Sequence, residues 1–464
     1  MPTAARDASL PDVAEVDTIV APATPHGESA LAVVRVSGPL AAALAAAQHG
    51  GRLPEPRLAW HGDFVSQAGA VIDDVVFSFF AGPRSYTGED VLEISSHGNP
   101  YIVRRILDDC VARGCRVAQA GEFTRRAFLN GRLDLTAAEA VMDVIRARSE
   151  RALAAARRQL EGALGRRIDR LVGDLLQTCA AIEAYIDFPE EDLPPEDRAR
   201  RRAEISALVD EIGALQATRR RGELVRDGLR VVLVGAPNAG KSSLLNRLLG
   251  YDRAIVSEEP GTTRDFLEEA VVLGPHRIRM IDTAGLREAR PGVERSGVAR
   301  SVERAQEADL LVLVADASQP RPTLPESVHR RLEPGTAVIA INKCDLEARQ
   351  FAWTDGATLP QVEVSALTGA GMDRLRTVLI GLADKLTGTG TDEELLAVNA
   401  RHDAALAEAA GALGRADVLL REAGPLELVG SELRQAVAAA GEIVGRIDHE
   451  AVLDRLFSSF CIGK

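Results

Sequence analysis

Cysteine is scarce in this sequence, with five residues in a chain of 464. Five scattered cysteines are too few for the disulfide framework that holds small secreted domains together. Cys110 and Cys115 form a C-x4-C pair, but no second Cys or His pair with zinc-ligand spacing lies nearby. We therefore interpret this pair as structural, and the sequence predicts neither a disulfide scaffold nor a zinc module.

Long apolar runs are also missing. No stretch reaches the roughly 18 apolar residues that a membrane-spanning helix needs. The first residues, MPTAARDASLPDVAEVDTIV, carry acidic side chains where a secretory signal needs a basic region and then an apolar one. We expect a cytoplasmic protein that has no membrane partner.

Positive charge is not in excess either, since the net charge is −13 at pH 7. This balance argues against nucleic-acid binding over the whole surface, because phosphate contacts need local positive charge. Any contact with RNA must therefore come from a basic patch or from a partner protein.

What the sequence does contain is a nucleotide-binding signature near its middle. Residues 229–250, LRVVLVGAPNAGKSSLLNRLLG, are a β-branched apolar run, a glycine-rich turn and an amphipathic helix. The embedded GAPNAGKS matches G-x4-G-K-[ST] in the strand–loop–helix context that the pattern requires. Backbone N–H groups of residues 238–242 would surround phosphate oxygens at a helix N-terminus. Lys241 would reach the β- and γ-phosphates, and Ser242 would bind Mg²⁺.

A second strand, HRIRMIDTAGL, ends in the D-x-x-G pattern. Asp282 would hold Mg²⁺ through water, and the N–H of Gly285 would sense the γ-phosphate. AIVSEEPGTTRD precedes it at the position of a switch loop, where Thr263 is the candidate to complete the Mg²⁺ shell. These residues predict a site that distinguishes a triphosphate from a diphosphate.

A third strand, TAVIAINKCD, ends in N-K-x-D. The Asp345 carboxylate could accept hydrogen bonds from the ring N–H and the exocyclic amine of guanine, a pair of donors that adenine lacks. Asn342 could reach the other edge of the purine, and Lys343 could lie along the ring face. In VEVSAL, a backbone N–H of Ser365 or Ala366 could meet the guanine carbonyl. Four motifs in this order predict a Ras-like P-loop GTPase domain.

The position after D-x-x-G raises a question about catalysis. Ras-like GTPases place a water-orienting Gln there, whereas this chain has Leu286, which has no polar side-chain atom. Either hydrolysis is lost or another residue positions the water. Glu288 and Glu294 are the acids close by, although a solvated surface acid is the default interpretation of each from spacing alone. Asn238 likewise has two interpretations, a ligand for a monovalent cation or a cap on its own turn.

Helical patterns flank this domain on both sides, which suggests one helical domain with the GTPase inserted into it. Residues 135–188 read as strongly helical, with Thr136 and Glu139 as a capping box, and Thr391 with Glu394 repeats that pattern downstream. Between residues 146 and 170 there are eight Arg and three acids. This stretch is either a solvated helix face or a strip that contacts phosphates.

The N-terminal region has strand-like segments and a helix over residues 99–114, which predicts a separate α+β domain. Arg35 and Glu93 each stand among apolar strand residues, which is unusual for charged side chains without a partner. An internal salt bridge and a ligand clamp both remain open.

Taken together, these residues resemble the MnmE (TrmE) family of tRNA-modification GTPases. The similarity runs nearly from end to end, and it includes DTIVAPATP, SYTGEDVLEISSHG, GEFTRRAFLNGRLDLTAAEAVMD, GAPNAGKSSLLN, GTTRD, DTAGLRE, NKCD and the final FCIGK. The GTPase motifs are shared by many other proteins, whereas the N-terminal strings and the ending are specific.

The resemblance implies a homodimeric GTPase that acts on tRNA together with an MnmG-type flavoprotein, which carries the FAD. The two proteins would install an aminomethyl or carboxymethylaminomethyl group at C5 of the wobble uridine. The carbon would come from a tetrahydrofolate derivative, in its 5,10-methylene or 5-formyl form. Hydrolysis of GTP would require Mg²⁺ and be stimulated by K⁺.

The resemblance also assigns roles to particular residues. Glu294 would position water, acting with Lys241 and Cys461 as the catalytic group. K⁺ would be bound by Asn238, Ser257, Glu259 and Thr262, and folate by Arg35, Glu93, Arg132 and Lys464. The GTP-binding set would be Asn238, Ala239, Gly240, Lys241, Ser242, Ser243, Ser257, Thr262, Thr263, Asp282, Thr283, Ala284, Gly285, Asn342, Lys343, Asp345, Ser365, Ala366 and Leu367.

Two departures from the family pattern affect this assignment. TPHGESALAVVRVSG replaces the glycine-rich loop that is usual near residues 26–32, and Glu259 replaces an apolar residue. The ending C-I-G-K fits a prenylation box poorly, because Gly and a final Lys are unusual there. A tail without meaning is the third interpretation, and the predicted helix before it together with the resemblance argues against that. We therefore favour a functional thiol at Cys461.

The predicted fold class is multi-domain α/β, with four segments. Residues 1–120 form an α+β folate-binding and dimerisation domain, 121–221 and 384–464 the two parts of a helical domain, and 222–383 the inserted GTPase domain. Two alternatives are a regulatory ribosome-assembly GTPase switch and a folate-binding scaffold with a non-hydrolysing G domain.

Overall fold

The computed structural model describes residues 17–187, 197–251, 268–282, 305–353, 359–388, 396, 398–446, 450–458 and 460–463. The chain divides into two compact units, residues 1–142 with 444–464, and residues 143–443. The predicted multi-domain α/β class is confirmed, whereas the four domain boundaries stay a prediction. None of the helices in the described ranges combines the length and the apolarity needed to cross a bilayer.

The first unit is built on a six-stranded, mostly antiparallel sheet with the strand order β3-β4-β5-β2-β1-β6. Only the β1–β6 pair is parallel among its described strands. The strands are β1 (Ile19–Pro22), β2 (Ser29–Ser37), β3 (Ala59–Val65), β4 (Val71–Phe80), β5 (Val91–Gly98) and β6 (Arg116–Val117). The helices are α1 (Leu40–Gln48), α2 (Pro100–Ala112), α3 (Glu122–Leu129), α4 (Leu135–Arg146) and, near the C-terminus, α13 (Glu450–Phe457).

The core of this unit follows from alternation along the strands. In β4, Val75, Phe77 and Phe79 are buried at every second position, as expected for a strand with one face on a core. Helix α2 covers this core and starts where the sequence predicts, because the Asn99 side chain accepts from the Tyr101 N–H at 2.8 Å. Cys110 and Cys115 are both buried in the same core, which agrees with their structural interpretation.

The second unit contains a six-stranded sheet with the order β12-β11-β10-β7-β9-β8. All its strands are parallel except β8, which pairs antiparallel with β9. The strands are β7 (Leu229–Val234), β8 (Glu268–Leu273), β9 (His276–Asp282), β10 (Leu310–Asp316), β11 (Ala337–Asn342) and β12 (Gln361–Glu363). The described helices of this G domain are α8 (Lys241–Tyr251), α9 (Glu326–His329) and α10 (Met372–Thr387).

The central strands of this sheet are buried on both faces, as is usual for parallel sheets. In β10, Leu310, Val312 and Val314 belong to one core cluster, whereas Leu311 and Leu313 belong to the other. The apolar runs that the sequence shows at these positions are therefore core strands. The residues that follow them lie at the rim of the sheet.

The rest of the second unit is helical. It comprises α5 (Glu150–Leu160), α6 (Ala163–Asp187), α7 (Arg198–Asp227), α11 (Ala400–Arg421) and α12 (Leu426–Val444). Helix α7 leads directly into β7, and its Arg202 lies 2.7 Å from Asp417 of α11. Helices before and after the G domain thus pack on one another, which is the arrangement expected for an inserted domain.

Two details of the predicted helices were wrong. Residues 135–188 are not one run, because α4 ends at Arg146 and α5 at Leu160, and Gly162 before α6 has a left-handed φ of +77°. The cap of α4 is Asp134 rather than Thr136, since the Ala137 N–H donates to the Asp134 carboxylate at 2.9 Å. Thr391 and Glu394 lie outside the described residues, and α11 instead begins with a capping box of Asn399 and His402.

The arginine-rich stretch of residues 146–170 lies mainly in α5 and the first half of α6. Arg151 and Arg167 are engaged with Asp384 and Glu211. Arg157 and Arg170 are exposed. Part of the stretch therefore has a structural role, and its contact with phosphates stays a prediction.

Candidate functional site

The nucleotide motifs converge at the carboxyl edge of the parallel sheet. β7, β9, β10, β11 and β12 run in the same direction, so the residues that follow them share one rim. Such a rim is where ligands bind in open α/β sheets. The backbone of Asp282 pairs with Leu233, next to the start of the phosphate loop, and Asn342 pairs with Asp316.

The phosphate loop needs glycine at two positions for different reasons. A Cβ on Gly235 would lie 2.1 Å from the Val314 carbonyl oxygen, and one on Gly240 would lie 2.1 Å from the Asn342 side-chain nitrogen. Both residues also have positive φ, at +151° and +92°. Asn238 adopts a left-handed φ of +62°, which Asn tolerates better than most residues. The loop is therefore built by close backbone approach, as a phosphate-binding loop requires.

Lys241 starts α8, and its ammonium group is turned toward this loop. Its Nζ donates to the carbonyl oxygens of Gly235 and Ala236, at 3.0 and 2.8 Å. The group is buried, whereas the next residues, Ser242 and Ser243, are exposed. The only positive charge of the motif is thus held at the loop that would surround the phosphates.

Asn342 joins the phosphate loop to the loop after β12. Its side chain is 2% exposed, donates to the Ala239 carbonyl at 2.9 Å and accepts from the Ala366 N–H at 3.0 Å. The predicted contact of Asn342 with the purine stays a prediction. In the structure, the amide bonds one residue of each loop and so fixes the spacing between them.

Lys343 is anchored by a residue that the motifs did not identify. Its Nζ lies 2.6 Å from Asp316 Oδ2, while Asp316 Oδ1 accepts from the N–H and the hydroxyl of Ser318. Burial alone would raise the pKa of Asp316, but the hydrogen bonds from Lys343 and Ser318 outweigh it and lower that pKa. The sequence signal that could have identified Asp316 is an acidic residue at the end of an apolar strand, in VLVAD.

The remaining residues of the predicted guanine pocket differ in their exposure to solvent. Asp345 is exposed, and Ser365 is buried, with its hydroxyl accepting from the Thr368 N–H at 3.1 Å. Leu367 is 81% exposed, which is unusual for a leucine in a compact unit. The Asp345 carboxylate and the Leu367 side chain are therefore accessible, and their contact with a base stays a prediction.

Several predicted ligands lie outside the described residues: Ser257, Glu259, Thr262, Thr263, Thr283, Ala284, Gly285, Glu294 and Lys464. For Asp282 only the backbone is described. By chain position, Ser242 and Asp282 lie at the same rim. A hydroxyl and a carboxylate are oxygen ligands of the kind that Mg²⁺ prefers, so these residue types fit Mg²⁺. Asn238 is in the loop that would place an amide oxygen beside the phosphates.

A second candidate site lies in the first unit, on the antiparallel sheet. Arg35 of β2 stands directly opposite Glu93 of β5, and its Nε and Nη2 lie 2.9 and 2.8 Å from Glu93 Oε1. The guanidinium carbon also lies 5.3 Å from the ring centre of Tyr86 and 5.7 Å from that of Phe123. The internal salt bridge is present, and sequence reasoning missed its two aromatic neighbours.

The C-terminal tail completes this site. Arg35 Nη1 donates to the Gly463 carbonyl at 3.3 Å, across 428 positions of sequence. Ile462 forms an antiparallel bridge with Ala120, and the Gly121 N–H donates to the Cys461 carbonyl at 3.4 Å. The Cys461 residue is exposed, whereas Phe460 before it is buried. The tail is thus an ordered part of the unit rather than a meaningless extension.

Arg132 is the other described residue of the predicted folate set. It is exposed, and its Cγ would lie 3.3 Å from a Cβ added to Gly88. The structure thus brings Arg35 and Glu93 into direct contact, whereas Arg132 lies along the loop that follows β4.

An ionic cluster beside this site holds α3 to the sheet. Arg126 contacts Asp17, Glu89 and Glu122 at 2.5 to 3.1 Å. Arg116 shares two of these partners, Asp17 and Glu122. Burial would raise the pKa of both Asp17 and Glu122, but hydrogen bonds from the two arginines outweigh it and lower both pKa values. The cluster fixes the helix that carries Phe123.

The comparisons with known proteins cover nearly the whole chain. A family model described as the MnmE helical domain matches residues 135–461, and one described as the GTP-binding protein TrmE N-terminus matches residues 18–132. The chain is 50% identical over 449 residues to the tRNA modification GTPase MnmE of Opitutus terrae, covering 97% of this chain and 99% of that protein. It is 44% identical over 459 residues to the protein of the same name from Halorhodospira halophila, covering 97% and 96%.

Among solved structures, the G domain of the T. maritima FeoB iron transporter matches 33% of this chain and 98% of its own, at 28% identity and a TM-score of 0.23.

Proposed function

Because this chain belongs to the MnmE family of tRNA-modification GTPases, we propose that it hydrolyses GTP in a K⁺-stimulated cycle to drive modification of the wobble uridine. It acts as a homodimer in the cytoplasm with an MnmG-type flavoprotein that carries FAD. Together they install an aminomethyl or carboxymethylaminomethyl group at C5. The observation that carries the GTPase part is the pair of hydrogen bonds that join the Asn342 side chain to Ala239 and Ala366. They hold the phosphate loop and the loop after β12 at one rim.

In the GTPase site, each described residue has a distinct task. Lys241 gives up its two carbonyl partners and donates to the β- and γ-phosphates, because a charged oxygen is a stronger acceptor than a carbonyl. Asp345 accepts from the guanine edge, while Asp316 keeps Lys343 beside the ring. Ser242, Asp282 and Thr263 hold Mg²⁺, which supplies positive charge at the phosphates.

Water is positioned by Glu294 in this proposal, since Leu286 cannot orient it. K⁺ is bound by the Asn238 amide oxygen together with Ser257, Glu259 and Thr262, and it provides charge that compensates for the missing arginine finger. A simple test compares phosphate release from GTP in K⁺ and in Na⁺ at equal ionic strength. Equal rates would contradict the potassium part, and no release in either would favour a non-hydrolysing G domain.

In the first unit, the proposal assigns the pocket around Arg35 and Glu93 to a tetrahydrofolate derivative. A guanidinium beside a carboxylate presents donors and an acceptor side by side, which suits the edge of a heterocycle that carries both. The rings of Tyr86 and Phe123 support stacking or edge contacts in the same place. Arg132 and Lys464 then contact the remaining polar groups of the folate.

Cys461 is assigned a role in the modification step. Its thiol is at the surface of an ordered tail, two residues before the Gly463 carbonyl that contacts Arg35. Phe460 is buried, whereas both Cys461 and Ile462 are exposed, so packing alone does not account for the residues after Phe460. We therefore place Cys461 beside the folate pocket as a thiol or proton carrier.

The decisive experiment is mass spectrometry of tRNA nucleosides from cells that lack this protein. The cells are rescued with the wild type, with Cys461→Ser, or with a chain that ends at Phe460. Loss of the C5 group on deletion and its return with the wild type support the proposal. Wobble uridines that are unchanged by deletion would overturn it and favour the ribosome-assembly switch. Full rescue by Cys461→Ser would remove the thiol from the reaction.

A further inference from the structure

The hairpin of β8 and β9 connects the two segments that are predicted to sense the γ-phosphate. The segment with Thr263 precedes β8, and the D-x-x-G segment follows Asp282 at the end of β9. The turn of this hairpin, Gly274–Pro275, lies at the opposite end of β9 from the nucleotide rim. Since β9 has seven residues, the turn is about 20 Å from Asp282 at ~3.3 Å per residue.

Helix α5 contacts this turn through the backbone of Arg151. The Arg151 backbone N–H belongs to the first turn of α5, where N–H groups have no partner within the helix, and it donates to the Pro275 carbonyl at 3.2 Å. The guanidinium reaches past the turn to the end of α10. There it contacts Asp384 at 3.1 Å, the Thr387 hydroxyl at 2.6 Å and the Gly388 carbonyl at 2.5 Å.

The turn itself is packed against α10. His276, the first residue of β9, is 2% exposed, and its Nε2 lies 3.0 Å from the same Asp384 oxygen that contacts Arg151. A Cβ added to Gly274 would lie 3.1 Å from Ile380 of α10. Asp384 therefore receives one contact from the helical part and one from the hairpin. Movement of the hairpin would change the contact of His276 with the oxygen that Arg151 shares.

A different contact also joins the helical part to the G domain. Arg220 of α7 contacts Asp309, which precedes β10 and also accepts from the Arg230 N–H at 2.8 Å. This contact reaches the central strands, whose far ends carry the phosphate loop and Asp316. The Arg151 contacts differ because the backbone N–H bonds the turn of the β8–β9 hairpin and the guanidinium shares Asp384 with His276 of that hairpin.

We propose that Arg151 is a positioning residue that couples the state of the nucleotide to α5 through the β8–β9 hairpin. The inference rests on the proposed GTPase cycle, in which the two segments flanking the hairpin contact the γ-phosphate. A rigid strand transmits a shift at Asp282 to Pro275, and hydrogen bonds at 3.2 Å or below tolerate little lengthening. Helix α5 therefore changes its stability when GTP replaces GDP.

Hydrogen exchange on the full-length protein tests this coupling. The wild type, Arg151→Met, Arg151→Lys and the matched control Arg220→Met are each measured with GDP and with a non-hydrolysable GTP analogue. In the wild type, exchange of peptides that cover the first two turns of α5 should differ by roughly tenfold between the two nucleotides. Arg151→Met keeps the backbone bond to Pro275 but removes the guanidinium that shares Asp384 with His276, so it should reduce this difference by roughly threefold or more. Arg151→Lys should retain more of it, and Arg220→Met should leave it intact.

Nucleotide binding and thermal unfolding distinguish a loss of coupling from general structural damage. Arg151→Met should bind the GTP analogue within about threefold of wild type, because no described atom of Arg151 contacts the nucleotide rim. Equal exchange of α5 with the two nucleotides in the wild type would overturn the inference. Loss of the difference in Arg220→Met at the same drop in melting temperature would also overturn it.

The coupling and the proposed function fail in distinguishable ways. Unchanged wobble uridines in deletion cells, with intact nucleotide-dependent exchange of α5, would reject the tRNA role and keep the coupling. Normal modification by Arg151→Met with unchanged exchange at α5 would reject the coupling and keep the tRNA role.

Discussion

The two sheets of this protein place their candidate functional residues in opposite ways. In the parallel sheet of the second unit, these residues follow the carboxyl ends of strands, so that Lys241, Asp282 and Asn342 meet at one rim. In the antiparallel sheet of the first unit, Arg35 and Glu93 stand within the strands and meet across them. Parallel strands bring their ends together automatically, whereas an antiparallel pair joins residues only through its register.

The difference teaches where sequence motifs are informative. Each nucleotide motif is a short local segment, and the parallel topology assembles the segments without further information. The site on the antiparallel sheet needs a register, two aromatic side chains and a tail that is 428 positions away from Arg35. The predictions below test whether each site can be changed without affecting the other.

The largest effect is expected at the rim of the parallel sheet. Lys241→Ala removes the only positive charge of the phosphate loop and should lower kcat/KM for GTP by roughly 10²–10³-fold. Phosphate release measures this change, and folate binding to the first unit should not change. Lys385→Ala, an exposed lysine in the last turn of α10, is the control. Activity of Lys241→Ala within threefold of wild type would break the assignment.

Base specificity should be the next largest effect. Asp345→Asn replaces an acceptor by an amide, whose N–H group can donate to the extra carbonyl of xanthine. Binding of GTP should weaken roughly 10²-fold, while binding of xanthosine triphosphate should improve. Titration with fluorescent analogues of both nucleotides measures the two affinities. An equal loss of affinity for both nucleotides would mean that Asp345 supports the loop and does not contact the base.

At the antiparallel sheet, the tail can be displaced with one methyl group. A Cβ on Gly463 would lie 2.1 Å from the Pro22 carbonyl, and the residue has a φ of +95°. Gly463→Ala should therefore release the tail and destabilise the first unit by about 1–3 kcal/mol, with GTP hydrolysis unchanged. Chemical denaturation and proteolysis of the C-terminus measure the effect.

Gly69→Ala is a matched control for the tail variant. Gly69 also has positive φ, at +84°, but a Cβ there would meet no atom within 4 Å. It carries the backbone strain without the clash. An equal effect of both substitutions on tail proteolysis would show that the close approach to Pro22 is unimportant.

The smallest effect is expected on the melting temperature when the pH is lowered. The folded pKa values of Asp17 and Glu122 are lowered from ordinary values of 3.8 and 4.5, so the unfolded chain takes up protons first as the pH falls. The stability that they contribute is fully present above about pH 4.5 and is lost below it. The melting temperature of the first unit should fall by a few degrees between about pH 5 and pH 3.5. Arg126→Met should flatten this profile, and an unchanged profile would remove the ionic cluster as its cause.

Much of the fold was predictable from local pattern. The sequence predicted β1, β2, β4, β5 and α2 because each has clear alternation or a clear cap. Strand β3 was missed, since Gly62 and two exposed polar residues interrupt its apolar pattern. The helical run from residue 135 was split by Gly162 and by the Ser149 cap, neither of which changes the apolar spacing enough to be seen.

The candidate sites divide in the same way. Lys241, Asn342 and Asp345 could be predicted as ligands because each nucleotide motif places particular residue types at a fixed spacing. Asp316 was missed, because its contact with Lys343 crosses from β10 to β11. Tyr86 and Phe123 were missed for the same reason, since only the folded sheet places them over Arg35.

By itself, the sequence determined the class of ligand, the order of the nucleotide motifs along the chain and the family, because those depend on local segments that fold alike wherever they occur. Only the tertiary structure decided which residues meet: Arg35 with Gly463, Asn342 with Ala239, and Arg151 with Asp384. Such contacts depend on the path of the chain between distant segments. Spacing along the sequence carries no information about that path, and packing and register alone settle it.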